Sequence, residues 1–176
     1  MKKILVLLAV ASSLLSGLAL AHGPTREKHS DSIEINASPD AVWALVGDFA
    51  HPEKWMPMIE STTASGADKD ATRDLKLKSG GVIKEVLKKV DAETKTIQYK
   101  IDDPTDAAVA PVNNYSAKIT VTASGAGSKV EWDAAFYRWF LNNNPPEGQN
   151  EAAAKGFVET VVKDSLANLK VVAEKK

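Results

Sequence analysis

Two side chains in the middle of the chain have the types and spacing for chemistry: Arg73 and Glu85, on either side of Ser79-Gly80-Gly81. If those three residues form the turn of a hairpin, Leu75 faces Glu85 and Arg73 sits diagonally across from it. Diagonal neighbours lie about 7–8 Å apart, within reach of two long side chains. Turned inward, the two charges must pair, because an isolated ion in an apolar interior is very costly. The pair then serves either as a structural ion pair or as a polar anchor for the head group of a bound molecule. A strand parity that puts Glu85 in water removes both uses. A lone Glu with a raised pKa can also act as a general acid or base, but it needs partners. No Ser-His-Asp set and no carboxylate pair can be placed, and His51, just before Pro52, reads as a surface residue at a helix start. No catalytic residue is assigned.

Composition narrows the rest. There is no cysteine, which excludes a thiol nucleophile, thiol redox chemistry and Fe–S ligation. Three histidines supply a metal centre poorly. His22 would become the N-terminal residue of a processed chain, where amine and imidazole can bind copper, but no second ligand set accompanies it. No metal and no cofactor is expected. The net charge is −1 and the basic residues are scattered among acids, so no nucleic-acid footprint is present.

The elements that must position Arg73 and Glu85 follow from periodicity. Met1-Lys2-Lys3, an apolar run from Ile4 to Leu18 and Ala19-Leu20-Ala21 form a secretory signal peptide over residues 1–21, cleaved after Ala21. This places the mature chain outside the cytoplasm, most simply in a bacterial periplasm. Residues 22–30 are polar and read as a flexible leader, and residues 31–176 as one domain. Ser32–Ile35 starts it as a short strand. Ser38 caps a helix with Pro39 at its first position, and His51–Trp55 forms a second short helix. Alternating strands follow around Arg73–Leu77, Val82–Val90, Ile97–Ile101, Tyr115–Val121 and Val130–Phe136. The parity of Val82–Val90 is open, because Ile83 and Leu87 point one way and Val82, Val86 and Val90 the other. Last comes an amphipathic helix over Asn150–Val172, with Ala154, Phe157, Val158, Val161, Val162, Leu166, Leu169 and Val172 on one side. The expectation is an α+β fold: a curved antiparallel sheet of about six or seven strands around one long C-terminal helix, with two short helices after the first strand. A cavity between helix and sheet is common in such folds. Trp55, Arg73, Glu85, Tyr99, Tyr115, Trp132, Phe157 and Val161 are its candidate lining.

Several stretches carry a resemblance. Ala37-Ser38-Pro39-Asp40-Ala41-Val42-Trp43, Gly47-Asp48-Phe49, Trp55-Met56-Pro57, Arg73-Asp74-Leu75, Gly80 to Glu85, Asp91, Tyr99 and Val130-Glu131-Trp132 resemble, in order and spacing, the SRPBCC superfamily of START-type, polyketide cyclase/dehydrase-like helix-grip proteins. The resemblance implies the helix-grip fold but no single function, since this fold hosts carriers, cyclases, receptors and accessory proteins. Phe136 to Phe140, followed by Asn142-Asn143-Asn144-Pro145-Pro146-Glu147, is similar to the exported MxaD-type proteins of methylotrophic bacteria. That similarity implies a non-catalytic accessory role in periplasmic methanol oxidation, with pyrroloquinoline-quinone methanol dehydrogenase and cytochrome cL as partners. The alternatives are a carrier or sensor of a small apolar ligand and, behind it, an enzyme of the cyclase or hydrolase kind. The long apolar loop Asp103–Asn114 and the segment Tyr137–Gln149 read as a lid or a docking surface, with Tyr137, Arg138, Trp139 and Phe140 as docking residues.

Overall fold

The computed structural model describes residues 23–175. The stretch expected to be a signal peptide, residues 1–21, and His22 lie outside the described residues. The chain runs β1 (Glu27–Ile35), α1 (Pro39–Val46), a single 3-10 turn (Pro52–Lys54), β2 (Ile59–Ala64), β3 (Thr72–Leu77), β4 (Val82–Asp91), β5 (Thr96–Ile101), β6 (Val112–Ser124), β7 (Gly127–Arg138) and α2 (Glu151–Ala173). The strands form one seven-stranded antiparallel sheet in the order β1-β7-β6-β5-β4-β3-β2. Every neighbouring pair but one joins strands that are consecutive in the chain; the exception joins the first strand to the last. The expected α+β helix-grip architecture is present, down to the two short helical pieces after β1.

Local chemistry accounts for the two helices. The Ser38 hydroxyl accepts a hydrogen bond from the Ala41 amide (3.3 Å), and Pro39 occupies the first turn, where its missing N–H costs nothing. Asn150 caps α2 through the Ala153 amide (3.0 Å), with Glu151 in the first turn. Ala154, Val158, Val162, Leu166 and Leu169 are buried along one side of α2, at spacings that keep them on the face turned to the sheet. The inward rows of the sheet supply the opposing half of the core: Leu75 and Leu77 from β3, Ile83 and Leu87 from β4, Ile119 and Val121 from β6, Val130, Trp132 and Phe136 from β7.

Three expectations on the strands need correction. The stretch read as a flexible leader is half strand: β1 begins at Glu27 and pairs with β7 from Glu27↔Phe136 to Ile35↔Ser128. Its sequence is polar because β1 is an edge strand whose backbone, not its side chains, makes the attachment; only Ile35 is fully buried. β2 was not legible as a strand for the same reason, Ile59 being its only buried residue. The third concerns the β3–β4 turn, which sits one residue earlier than expected: Leu77 pairs with Gly81, leaving Lys78, Ser79 and Gly80 as the loop. Gly80 (φ +93°) and Gly81 (φ +83°) provide its positive φ angles. The shift moves the pairing by two residues, so Leu75 faces Ile83 and Arg73 faces Glu85 directly rather than diagonally.

Candidate functional site

β4 turns Ile83, Glu85 and Leu87 inward and leaves Val82 and Val90 at 48% and 38% exposure, which settles the parity. Glu85 and Arg73 are therefore buried opposite each other, at 5% and 3% exposure. Arg73 Nε donates to Glu85 Oε2 (2.7 Å), and Nη2 lies 2.6 Å from the same oxygen in the ion pair. Arg73 Nη1 donates to the Phe49 carbonyl (2.9 Å). The guanidinium lies 4.2 Å from the centre of the Phe49 ring and 4.9 Å from that of Tyr99, so aromatic groups flank it as well. Each of the three guanidinium nitrogens of Arg73 thus has a polar partner. Glu85 has a free oxygen: Oε1 receives no hydrogen bond from the described residues. Burial pushes the Glu85 carboxyl above its ordinary range and outweighs the opposing pull of Arg73.

Around Glu85 is a small chamber between sheet and helix, with room for about 30 Å³ of water. That is the space of one or two molecules. Six of the eight expected lining residues meet there: Glu85, Tyr99, Tyr115, Trp132, Phe157 and Val161. Arg73 and Trp55 do not line it. Arg73 stands behind Glu85, and Trp55 packs edge-on against the back of Trp132 at 5.7 Å between ring centres. The remaining wall, which includes Met56, Met58, Ile59, Leu75, Leu77, Ile83 and Ile101, is apolar. Periodicity marks those strand residues as core but cannot say which of them border a void.

The polar end of the chamber is built by four neighbouring strands, β4 to β7, which carry Glu85, Tyr99, Tyr115 and Trp132. Tyr99 is pushed well up by burial, then by the Tyr115 hydroxyl and the Glu85 carboxylate beside it. Tyr115 is pushed up by burial and then by Glu85. Both stay neutral hydroxyls at ordinary pH. The indole of Trp132 is completely buried and its Nε1 lies near enough to Tyr115 to influence that hydroxyl, yet it has no acceptor in bonding geometry. On the helix side, Met58, Phe157 and Val161 border both the chamber and a surface groove that runs along Gly156, Thr160, Asp164 and Ser165 of α2. Phe157 and Val161 are only half-buried for that reason. Gly156 leaves the groove open, with no atom within 4 Å of where a Cβ would stand.

The expected docking residues do not form one patch. Tyr137 is on the outer face of the sheet, half-buried under Arg26, which stacks on its ring at 5.4 Å. Arg138 is a correction: it is 7% exposed and unavailable to a partner. Its Nε bonds the Phe140 carbonyl (2.6 Å), its Nη2 the Asn142 carbonyl (2.9 Å) and its Nη1 the Glu151 carboxylate. It clamps the end of β7 to the following loop and to the start of α2. Its parity gives the signal, because Arg138 continues the inward row Val130, Trp132, Ala134, Phe136. Trp139 and Phe140 are half-buried, and Trp139 Nε1 donates to the Thr105 carbonyl (2.8 Å), tying the two loops together. Within the other loop Ala110 is buried, and Val112 already belongs to β6. The exposed apolar side chain of the 139–149 segment is Leu141, at 45%. His51 is exposed and pairs with Glu53 (3.0 Å), away from the chamber.

A sheet wrapped on one long helix, with a small mostly apolar chamber between them, defines the class as a helix-grip, ligand-binding fold. Residues 26–174 match the family described as polyketide cyclase/dehydrase and lipid transport, and the chain belongs to it. Among solved structures, the chain is similar to the protein XoxI from Bacillus cereus, with 27% identity, a TM-score of 0.66, and 82% of this chain and 93% of that one covered. It is also similar to an uncharacterised protein from Bacillus thuringiensis, with 24% identity, a TM-score of 0.70, and 85% and 100% covered. A truncated norcoclaurine synthase from Thalictrum flavum shares the fold at 19% identity, with a TM-score of 0.65 and 88% and 98% covered.

Proposed function

We propose that this chain is an exported, non-catalytic binding protein that takes a small, largely apolar molecule between α2 and the sheet. The observation that carries the reading is Glu85: a buried carboxylate with one unengaged oxygen, facing an otherwise apolar chamber beside two neutral tyrosine hydroxyls. A purely structural ion pair needs no such void next to it. As it stands the chamber holds little more than water, so the ligand enters by displacing Phe157 and the flexible Met58, which merges chamber and groove.

A second reading is an accessory role in periplasmic methanol oxidation. The likeness of Phe136–Glu147 to the MxaD-type proteins supports it, together with Leu141, exposed at the rim of a loop that Arg138 holds in place. Methanol dehydrogenase and cytochrome cL are the partners this reading names. Native mass spectrometry of the protein purified from its own host separates the two readings. A small adduct lost on denaturation is the result expected of a ligand binder, and a complex with a much larger protein that of an accessory. A bare monomer under conditions that preserve weak complexes would overturn both.

A further inference from the structure

We infer that the ligand of this chamber carries a neutral head group that both donates and accepts hydrogen bonds, such as an alcohol, a phenol or a primary amide. The inference rests on the binding reading above. At the polar end of the chamber, Glu85 Oε1 can only accept a hydrogen bond while ionised, and Trp132 Nε1 can only donate one. Neither has a partner among the described residues. Tyr99 and Tyr115 stand on β5 and β6, the two strands between those of Glu85 and Trp132, and their hydroxyls can serve either way. Buried polar groups are almost always paired, so two unpaired groups of opposite kind at one end of a cavity define what must complete them.

The charge arrangement excludes ions of either sign. Among the described residues, Glu85 is the only charged side chain that lines the chamber. Arg73, its counter-charge, is held by Glu85 Oε2 and the Phe49 carbonyl, flanked by the Phe49 and Tyr99 rings, and presents nothing to the void. A carboxylate ligand would meet a like charge with no free cation to offset it. An ammonium ligand could bond Glu85, but it has only donors, so it offers nothing to the Trp132 N–H, and it would add a positive charge to a pair already balanced. An alcohol or amide offers both an acceptor and a donor to this end of the chamber and brings no charge to desolvate.

The test uses four probes of one shape: toluene, benzyl alcohol, benzylamine and benzoate. Binding is titrated on the mature protein and the indole N–H signal of Trp132 is followed by NMR. The expected result is that benzyl alcohol binds at least about threefold more tightly than toluene, the gain of one net hydrogen bond. It should also bind more tightly than benzylamine and benzoate, and the Trp132 N–H signal should move with the alcohol far more than with toluene. Trp132→Phe keeps a ring in place but removes the donor, and should erase the preference for the alcohol; the NMR signal tests the same point without a variant. If none of the four probes binds, the binding reading itself falls. If toluene, benzoate or benzylamine matches or exceeds benzyl alcohol, the chamber binds ligands but the head-group inference is overturned.

Discussion

Replacing Arg73 with methionine keeps the unbranched stem and removes the charge, so it isolates what Arg73 does for Glu85. The carboxylate is 5% exposed and Arg73 is the only side chain that bonds it among the described residues. Breaking a buried pair from one side typically costs about 3–5 kcal/mol, because it leaves an uncompensated buried charge. Glu85 can escape that cost by taking up a proton, and its carboxyl already sits above its ordinary value of 4.5 with Arg73 in place. Without Arg73 it rises further. A raised carboxyl contributes stability that is present at low pH and lost as pH rises through the folded value, at up to about 1.36 kcal/mol per pH unit. Between pH 7.5 and 5.5 the penalty of Arg73→Met relative to the parent should therefore shrink by as much as about 2.7 kcal/mol. Urea unfolding followed by circular dichroism at the two pH values measures both quantities. A companion Arg73→Met/Glu85→Leu protein removes the charge from both sides and should recover most of the stability at either pH. A penalty below about 1 kcal/mol, or one that is the same at both pH values, would refute the picture of a buried carboxylate held by a single cation.

Two further predictions follow from the same region. Glu85→Gln cannot titrate, and burial holds the native carboxyl above 4.5. The stability of the parent relative to this variant should fall as pH rises above about 4.5; a relative stability that grows with pH in unfolding titrations would mean that Arg73 outweighs burial. Gly81→Ala places a Cβ 2.4 Å from Val109 Cγ2 at a residue with φ +83°, and should cost about 1–3 kcal/mol. Adding Val109→Ala should relieve the overlap but not the backbone strain, so the melting temperature of the double variant should recover only in part.

The periods of the sequence made most of the sheet, the long C-terminal helix and the facing of Tyr99, Tyr115 and Trp132 legible, the last because each of the three sits in a row whose alternation is unbroken. β4 was ambiguous for a physical reason. Valine favours extended backbone on either face, so Val82 and Val90 on the wet side imitate a core row. The polar edge strands β1 and β2 escape the hydrophobic pattern, since an edge strand is fixed by its backbone bonds on one side. The turn between β3 and β4 was misplaced by one residue because Gly80 and Gly81 both accept positive φ, and the spacing alone cannot choose between them. Arg138 was read as a surface anchor from its residue type, although its place in the row of Trp132 and Phe136 points inward. Which wall residues border a void, and which simply pack, depends on how α2 settles on the sheet, and no local pattern encodes that.

The sheet order has a consequence for how the molecule comes into being. Among the described residues β1 is the first strand to be made, yet its only partner in the sheet is β7, the last; Ser30 and Asp133, which join their side chains across that seam, are 103 positions apart. The opening strand must wait, unpaired, until nearly the whole polypeptide is available, and contacts of such long sequence separation are slow to form. A greasy strand left waiting would be an invitation to stick to its neighbours. Glu-Lys-His-Ser-Asp-Ser, the run that opens β1, is well suited to delay.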